Sequence, residues 1–407
     1  MGARHQIGIN LALTDTQMSS DVASPRLLLL GMEEFGARPS GLNRYLQDLS
    51  AALKKAGMST EIVVLTAGNP RAGDRNPGLR VDAPLPQRLI SFARAARLAA
   101  RRADVVDVHF ALYSLLPRMT SLRLKPTVVH FQGPWGSESA VERGENALKL
   151  ATKRLIERLV YRRAAFVILL STAFRQLVID EYRIPPERVI VIPPGVDLEK
   201  FTPGDKIAAR EALGLPSSGF GCVAARRLTP RMGLDVLLRA WRRVAVEPKF
   251  LVFAGTGPDR RRLEIITQSL GLGTSVRFFG RVSDSDLQSL YRAADVSIVP
   301  STSLEGFGLA ALESLACGTP TIVSDTGGLP EAVAEMDRSL IVPLGNEVAL
   351  AERLTAAHEG RVPSAETCRK HAETFNWGRV ADLHRAIYMA AWQGSTLRSS
   401  VHHSIGS

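Results

Sequence analysis

The sequence predicts an α/β protein of two domains, each a parallel sheet doubly wound with helices. Apolar strand-like runs alternate with helical patterns along the chain, which marks βαβ units. At 407 residues and 45% hydrophobic content, the chain is too long for one ordinary core. Pro193-Pro194-Gly195 interrupts the alternation near its middle and is the natural seam.

Residues 1–24 carry too many polar groups for a secretory signal and are expected to be disordered. Residues 26–30 read as the first buried strand, and 41–56 as the helix after its loop. Residues 61–65, 105–108, 127–131 and 166–170 continue that sheet, giving a first domain over 25–195. The stretch 68–86, rich in Gly, Pro and charge, reads as a mobile loop. The second domain, 196–376, takes strands near 221–224, 250–253, 276–279, 296–299 and 321–323. An amphipathic helix follows over 377–392, and 393–407 reads as a disordered tail.

The most informative stretch runs Glu305-Gly306-Phe307-Gly308-Leu309-Ala310-Ala311-Leu312-Glu313. Glycines at 306 and 308 let the backbone approach a ligand, and the helix they open offers free N–H groups and a positive dipole end to a phosphate. Glu313 would lie about 7 Å farther along that helix, where a carboxylate can accept from a ribose diol. Acidic pairs on helices are usually solvated, but Glu313 sits in an apolar run, and a buried Glu needs a polar partner. Glu305 would face the group beyond the phosphate, which suits a nucleotide-sugar.

These residues resemble the donor signature of retaining glycosyltransferases of family four. Ser40-Gly41-Leu42-Asn43 resembles that family's N-terminal glycine loop, and 191–203 its interdomain segment. Arg226-Arg227-Leu228-Thr229-Pro230-Arg231-Met232-Gly233 resembles its basic donor loop, with Phe253-Ala254-Gly255-Thr256-Gly257 and Phe279-Gly280-Arg281-Val282 completing the donor half. The resemblance covers roughly 25–392. It implies the GT-B fold, two Rossmann-like domains facing across a cleft, with the terminal helix crossing back to the first. It further implies Glu305 on a donor-sugar hydroxyl, Arg227 and Arg231 stabilising the leaving diphosphate, and Glu313 on ribose. Gly41, Gly255, Arg281, Val282, Gly306, Phe307, Gly308 and Leu309 would complete the donor contacts, without metal or cofactor.

Two positions depart from the pattern. Met232 stands where relatives commonly have a lysine before the glycine, with Arg231 preceding it. Gln132 stands where many have a histidine; it can hydrogen-bond a sugar but cannot act as a base. His109 and His130 belong to the same acceptor side, although their apolar neighbours make them read as buried strand histidines.

Charge is shared unequally. Residues 1–195 hold 27 Lys and Arg against 17 Asp and Glu, net +10, whereas the rest holds 24 against 23, net +1. Arg88, Arg94, Arg97, Arg101 and Arg102 alternate with apolar residues in a pattern that suits an anionic membrane surface, and 153–163 form a second such cluster. The alternative is that both helices pack on the sheet and merely solvate their arginines. The basic residues lack interleaved aromatics, which argues against nucleic acid. Three scattered cysteines, Cys222, Cys317 and Cys368, read as buried residues in a reducing compartment.

The expectation is therefore a cytoplasmic transferase, in solution or peripheral on the inner membrane face. It would move a hexosyl group from a UDP- or GDP-sugar to a glycan or lipid-linked acceptor in polysaccharide or glycolipid synthesis. A degenerate nucleotide-sugar-binding subunit and a nucleotide-sugar epimerase remain as alternatives.

Overall fold

The structure is a computed structural model, and it describes residues 24–33, 41–66, 80–120, 122–135, 146–303 and 305–404, with side chains to 394. Ser40, the segment 1–23 and most of the 68–86 loop lie outside the described residues. The chain divides into two compact units. Unit 1 comprises 1–136, 147–193 and 378–407; unit 2 comprises 137–146 and 194–377.

Unit 1 carries a six-stranded sheet in the order β2-β1-β3-β4-β5-β6. Its strands are β1 (Leu27–Glu33), β2 (Thr60–Leu65), β3 (Val105–Val108), β4 (Thr127–Phe131), β5 (Phe166–Leu169) and β6 (Val189–Val191). Every pairing is parallel. The helices between them are α1 (Gly41–Lys55), α2 (Leu85–Ala100), α3 (Ala111–Met119), α4 (Ala147–Tyr161) and α5 (Arg175–Tyr182). Strands covered on both faces are mostly apolar, and Leu27, Leu28, Leu29 and Leu30 are all fully buried.

Unit 2 repeats the plan, with α6 (Lys206–Ala212), β7 (Phe220–Ala225), α7 (Leu234–Arg243), β8 (Lys249–Ala254), α8 (Arg260–Ser269), β9 (Val276–Gly280), α9 (Asp284–Ala293), β10 (Val296–Val299), α10 (Leu309–Ala316), β11 (Thr321–Ser324), β12 (Ile341–Val342), α11 (Glu347–His358) and α12 (Ala365–Glu373). Its parallel sheet runs β12-β11-β10-β7-β8-β9. Helix starts are fixed by side-chain caps: Ser283 with Asp286 forms a capping box on α9, and Asn346 and Ser364 cap α11 and α12.

The strand order reverses between β1 and β3 in one sheet and between β7 and β10 in the other. Ligands of open α/β sheets bind beyond the carboxyl ends of strands at such switch points. The sequence pattern missed β6 and β12, short edge strands that give periodicity too little to work on. The terminal helix, α13 (Trp377–Ser404), runs past 392 into the stretch expected to be disordered.

Candidate functional site

The unit 2 switch point is built from three loops. After β7 the chain delivers Arg226 to Gly233, after β10 it delivers Pro300 to Gly308, and after β11 it delivers the 325–331 turn. Glycines hold these loops against one another. A Cβ at Gly255 would lie 1.9 Å from Arg226 O, at Gly233 1.9 Å from Pro300 O, and at Gly327 2.3 Å from Glu305 O. The Gly328 N–H donates to Glu305 O (2.9 Å), and Thr302 N–H to Arg231 O (2.9 Å). Gly327-Gly328, without a role in the sequence reading, is thus the backbone clamp on Glu305.

Three donors converge on Oε1 of Glu305: Arg226 Nη2 at 2.7 Å, Ser301 Oγ at 3.1 Å and Arg231 Nη1 at 3.3 Å. Among the described residues no donor is paired with Oε2. Both guanidiniums have only 8% of the side chain exposed. Burial lowers the Arg226 pKa, opposed by the Glu305 carboxylate. Among the described residues its buried Nη1 has no partner, and a buried, unpaired guanidinium N–H is a donor suited to an anion.

Of the two adjacent arginines, Arg226 turns into the cluster, whereas Arg227, which the sequence reading named, is exposed. Arg226 O is the atom pressed against Gly255, and this packing sets which of two adjacent arginines points inward. Met232 is buried, so its position offers no polar group.

Gly308 takes φ +96, the left-handed region, and precedes α10 with no side-chain cap hydrogen bond. Phe307 is buried against Phe375 with ring centroids 5.6 Å apart, which leaves backbone contacts as what it and Gly306 can offer a ligand. Leu309 opens the helix. Glu313 is 7% exposed and accepts from Tyr291 Oη at 3.3 Å, a partner the sequence reading did not name. Gly255 donates to Gly280 O (2.7 Å) across the ends of β8 and β9, and exposed Arg281 and half-buried Val282 follow directly.

Gly41, His109, His130 and Gln132 lie in unit 1. Gly41 opens α1. His109 and His130 have fully buried side chains. They surround Asp107: His109 Nε2 at 3.0 Å from Oδ2, His130 Nε2 at 3.2 Å from Oδ1, with Tyr388 Oη of α13 donating at 2.6 Å. Burial opposes ionisation of Asp107, but His130 and His109 overcome it and hold the carboxyl well below its usual range. Tyr45 Oη bridges His130 Nδ1 (3.5 Å) and His384 Nε2 (3.3 Å), and His384 Nδ1 lies 2.7 Å from Val380 O.

The Asp107, His109 and His130 donor atoms lie close enough to suggest a metal centre. The ring geometry argues otherwise. The imidazoles stack at 4.1 Å with 16° between planes, so their in-plane lone pairs run side by side and do not meet at one ion.

The family models "Glycosyltransferase Family 4" and "Glycosyl transferases group 1" match residues 39–200 and 205–375. D-inositol 3-phosphate glycosyltransferase of Geodermatophilus obscurus is 30% identical, over 86% of this chain and 85% of its own. Among solved structures, sucrose-phosphate synthase from Thermosynechococcus elongatus aligns with a TM-score of 0.76 at 24% identity, covering 90% of this chain and 100% of that one. Anabaena HepE in complex with UDP and glucose aligns at 0.69 and 19%, with 90% and 100% covered. The chain is a glycosyltransferase with the GT-B fold and belongs to glycosyltransferase family 4.

Proposed function

We propose that the protein transfers a hexosyl group, with retention, from a UDP- or GDP-sugar to a glycan or lipid-linked acceptor in polysaccharide or glycolipid synthesis. The observation that carries this is the buried Arg226 with an unpaired Nη1, beside Glu305 and the uncapped start of α10. Breaking an anomeric bond to a diphosphate places growing negative charge on the leaving group. Fixed donors in a water-poor setting stabilise such charge best. Arg226, Arg231 and the N–H groups at Gly308 and Leu309 supply them without a metal. Glu305 Oε2 accepts from a donor-sugar hydroxyl, and Glu313, steadied by Tyr291, accepts from the ribose. The departing phosphate takes the proton of the incoming hydroxyl, the front-face route expected of the family.

Incubating the protein with UDP-, GDP- and ADP-sugars and following release of the nucleoside diphosphate tests this reading. Sugar-dependent release unaffected by EDTA supports it. Binding without release favours a non-catalytic subunit, and an altered sugar favours an epimerase.

The location proposed is cytoplasmic, with unit 1 resting on an anionic membrane face. Among the described residues no helix is long and apolar enough to cross a membrane. α2 turns Phe92, Ala96, Ala99 and Ala100 to the core, yet leaves Ile90 and Leu98 at 50% and 62% exposed beside Arg94, Arg97, Arg101 and Arg102. Leu148 and Leu155 of α4 are also exposed, with Lys149 and Arg154 near them in sequence. Exposed leucines among arginines suit a head-group boundary. Sedimentation with anionic vesicles tests this: exchange of Arg94, Arg97, Arg101 and Arg102 for Gln lowers binding, and unchanged binding rejects it.

A further inference from the structure

The loop that delivers Glu305 carries a second polar residue whose part in the reaction is still unassigned. Ser301 is the second residue beyond β10, and both of its neighbours are fastened to the 231–233 loop. Pro300 O packs against Gly233, and Thr302 donates to Arg231 O through its N–H (2.9 Å) and its hydroxyl (3.3 Å). Ser301 is completely buried. Among the described residues its Oγ makes one hydrogen bond, donated to Glu305 Oε1 at 3.1 Å. That bond closes the turn on which Glu305 rides.

Arg226 and Arg231 reach the same oxygen. A carboxylate oxygen has two lone pairs, so three donors saturate Oε1 and leave Oε2 as the acceptor for a ligand. The three donors are not equivalent. A guanidinium beside a bound diphosphate is drawn towards it, because the anion competes for the same N–H groups, and an arginine has many rotamers in which to turn. A serine hydroxyl is neutral and moves about one short side-chain torsion. Here it meets no acceptor but Glu305 among the described residues, so it keeps its hold on Oε1 when the arginines engage the leaving group. The other acidic residue of the loop and helix is held by the same device: Tyr291, also completely buried, donates its hydroxyl to Glu313 Oε2 at 3.3 Å.

We propose that Ser301 is a positioning residue for the transfer step, pinning Oε1 of Glu305 so that Oε2 meets a donor-sugar hydroxyl in a fixed direction. The proposal rests on the transferase reading above and adds the residue that holds its acidic group while the diphosphate is bound. Ser301 itself touches no substrate and carries no proton. Its loss leaves the guanidiniums and the start of α10 in place, so the deficit attaches to the sugar and spares the nucleotide.

Ser301→Ala in the full chain tests this by calorimetric titration with UDP, GDP, UDP-glucose and GDP-mannose and by steady-state release of the nucleoside diphosphate. The variant binds UDP and GDP as the wild type does, within about twofold, and loses roughly tenfold in kcat/KM for the sugar-nucleotide, the scale of one hydrogen bond to a charged group. On a Glu305→Gln background the same exchange costs under about twofold, because the carboxylate it serves is already gone. Circular dichroism checks folding, and Ser301→Cys, a weak donor of similar shape, shows the same split. Unchanged kcat/KM, an equal loss of diphosphate affinity, or a tenfold loss repeated in full on the Glu305→Gln background overturns the proposal. A wild type that binds a sugar-nucleotide without releasing diphosphate counts against the transferase reading alone; Ser301 is then decided by whether Ser301→Ala weakens the sugar-nucleotide and spares the diphosphate. A wild type that binds none of the four rejects both.

Discussion

Both units wind helices around six parallel strands, yet they surround a carboxylate with different groups. Unit 1 walls in one carboxylate, Asp107, with imidazoles and a phenol from β3, β4 and α13, and Tyr45 of α1 ties that set together. Unit 2 gathers Arg226, Arg231 and Glu305 and, among the described residues, leaves Arg226 Nη1 and Glu305 Oε2 unmatched. A network enclosed on every side fixes shape, even though Asp107 Oδ1 and His130 Nε2, 3.2 Å apart, are not aligned for a hydrogen bond. One whose spare donor and acceptor sit among loops, with part of the side chains exposed, keeps affinity for something else.

The sharpest way to break that contrast is to remove the unmatched groups. Glu305→Gln and Arg226→Met each lower sugar-dependent nucleotide release by about 10²-fold or more, the scale of one lost electrostatic stabiliser. Arg227→Met, on the exposed neighbour, costs under about tenfold, since an exposed charge is screened. Steady-state rates decide this, and equal losses at 226 and 227 would return the role to both arginines.

How far each region was legible follows from the same contrast. The Gly306 to Glu313 stretch was readable because its constraints are local: a left-handed glycine, a helix start and an acidic residue in one run of chain. The choice between Arg226 and Arg227 was not, because it depends on Gly255 packing on Arg226 O from another loop. The unit 1 network was least legible. Tyr45, Asp107, His130 and His384 meet only once the strand order is known, and each alone looks like an ordinary core residue. The strands themselves were plain from their apolar runs, apart from β6 and β12.

The loops of unit 2 offer a second test, of how closely backbone must meet backbone. Gly233→Ala places a Cβ at φ +66 and 1.9 Å from Pro300 O, and costs about 3 kcal/mol through strain and displacement together. Gly214→Ala has a similar φ of +61 but open space, and costs about 1 kcal/mol, strain alone. Thermal unfolding of the pair separates the two contributions. Equal losses would mean that the loop at Pro300 gives way freely.

The finest test sets the two units against each other in acid. Burial, then the nearby His130, pushes the His384 pKa down from 6.5 to about 3. A histidine kept neutral by the fold gives up stability as pH falls below its unfolded value, because the unfolded chain takes the proton first. At pH 5 that loss is about 2 kcal/mol, at about 1.36 kcal/mol per pH unit, and His109, also lowered, acts in the same direction. Asp107 adds nothing over this interval, since its stabilisation fades only near and below 3.8. The groups facing His384 are Tyr45 from α1, Asp107 and His109 from β3 and its end, His130 from β4 and Tyr388 on its own helix. Hydrogen exchange at pH 7 and pH 5, corrected for the intrinsic rate, therefore loses protection in β3, β4 and α13 while β7 and β10 hold theirs. His384→Leu removes most of that difference, and a difference that persists in this variant would place the acid-sensitive group elsewhere in unit 1.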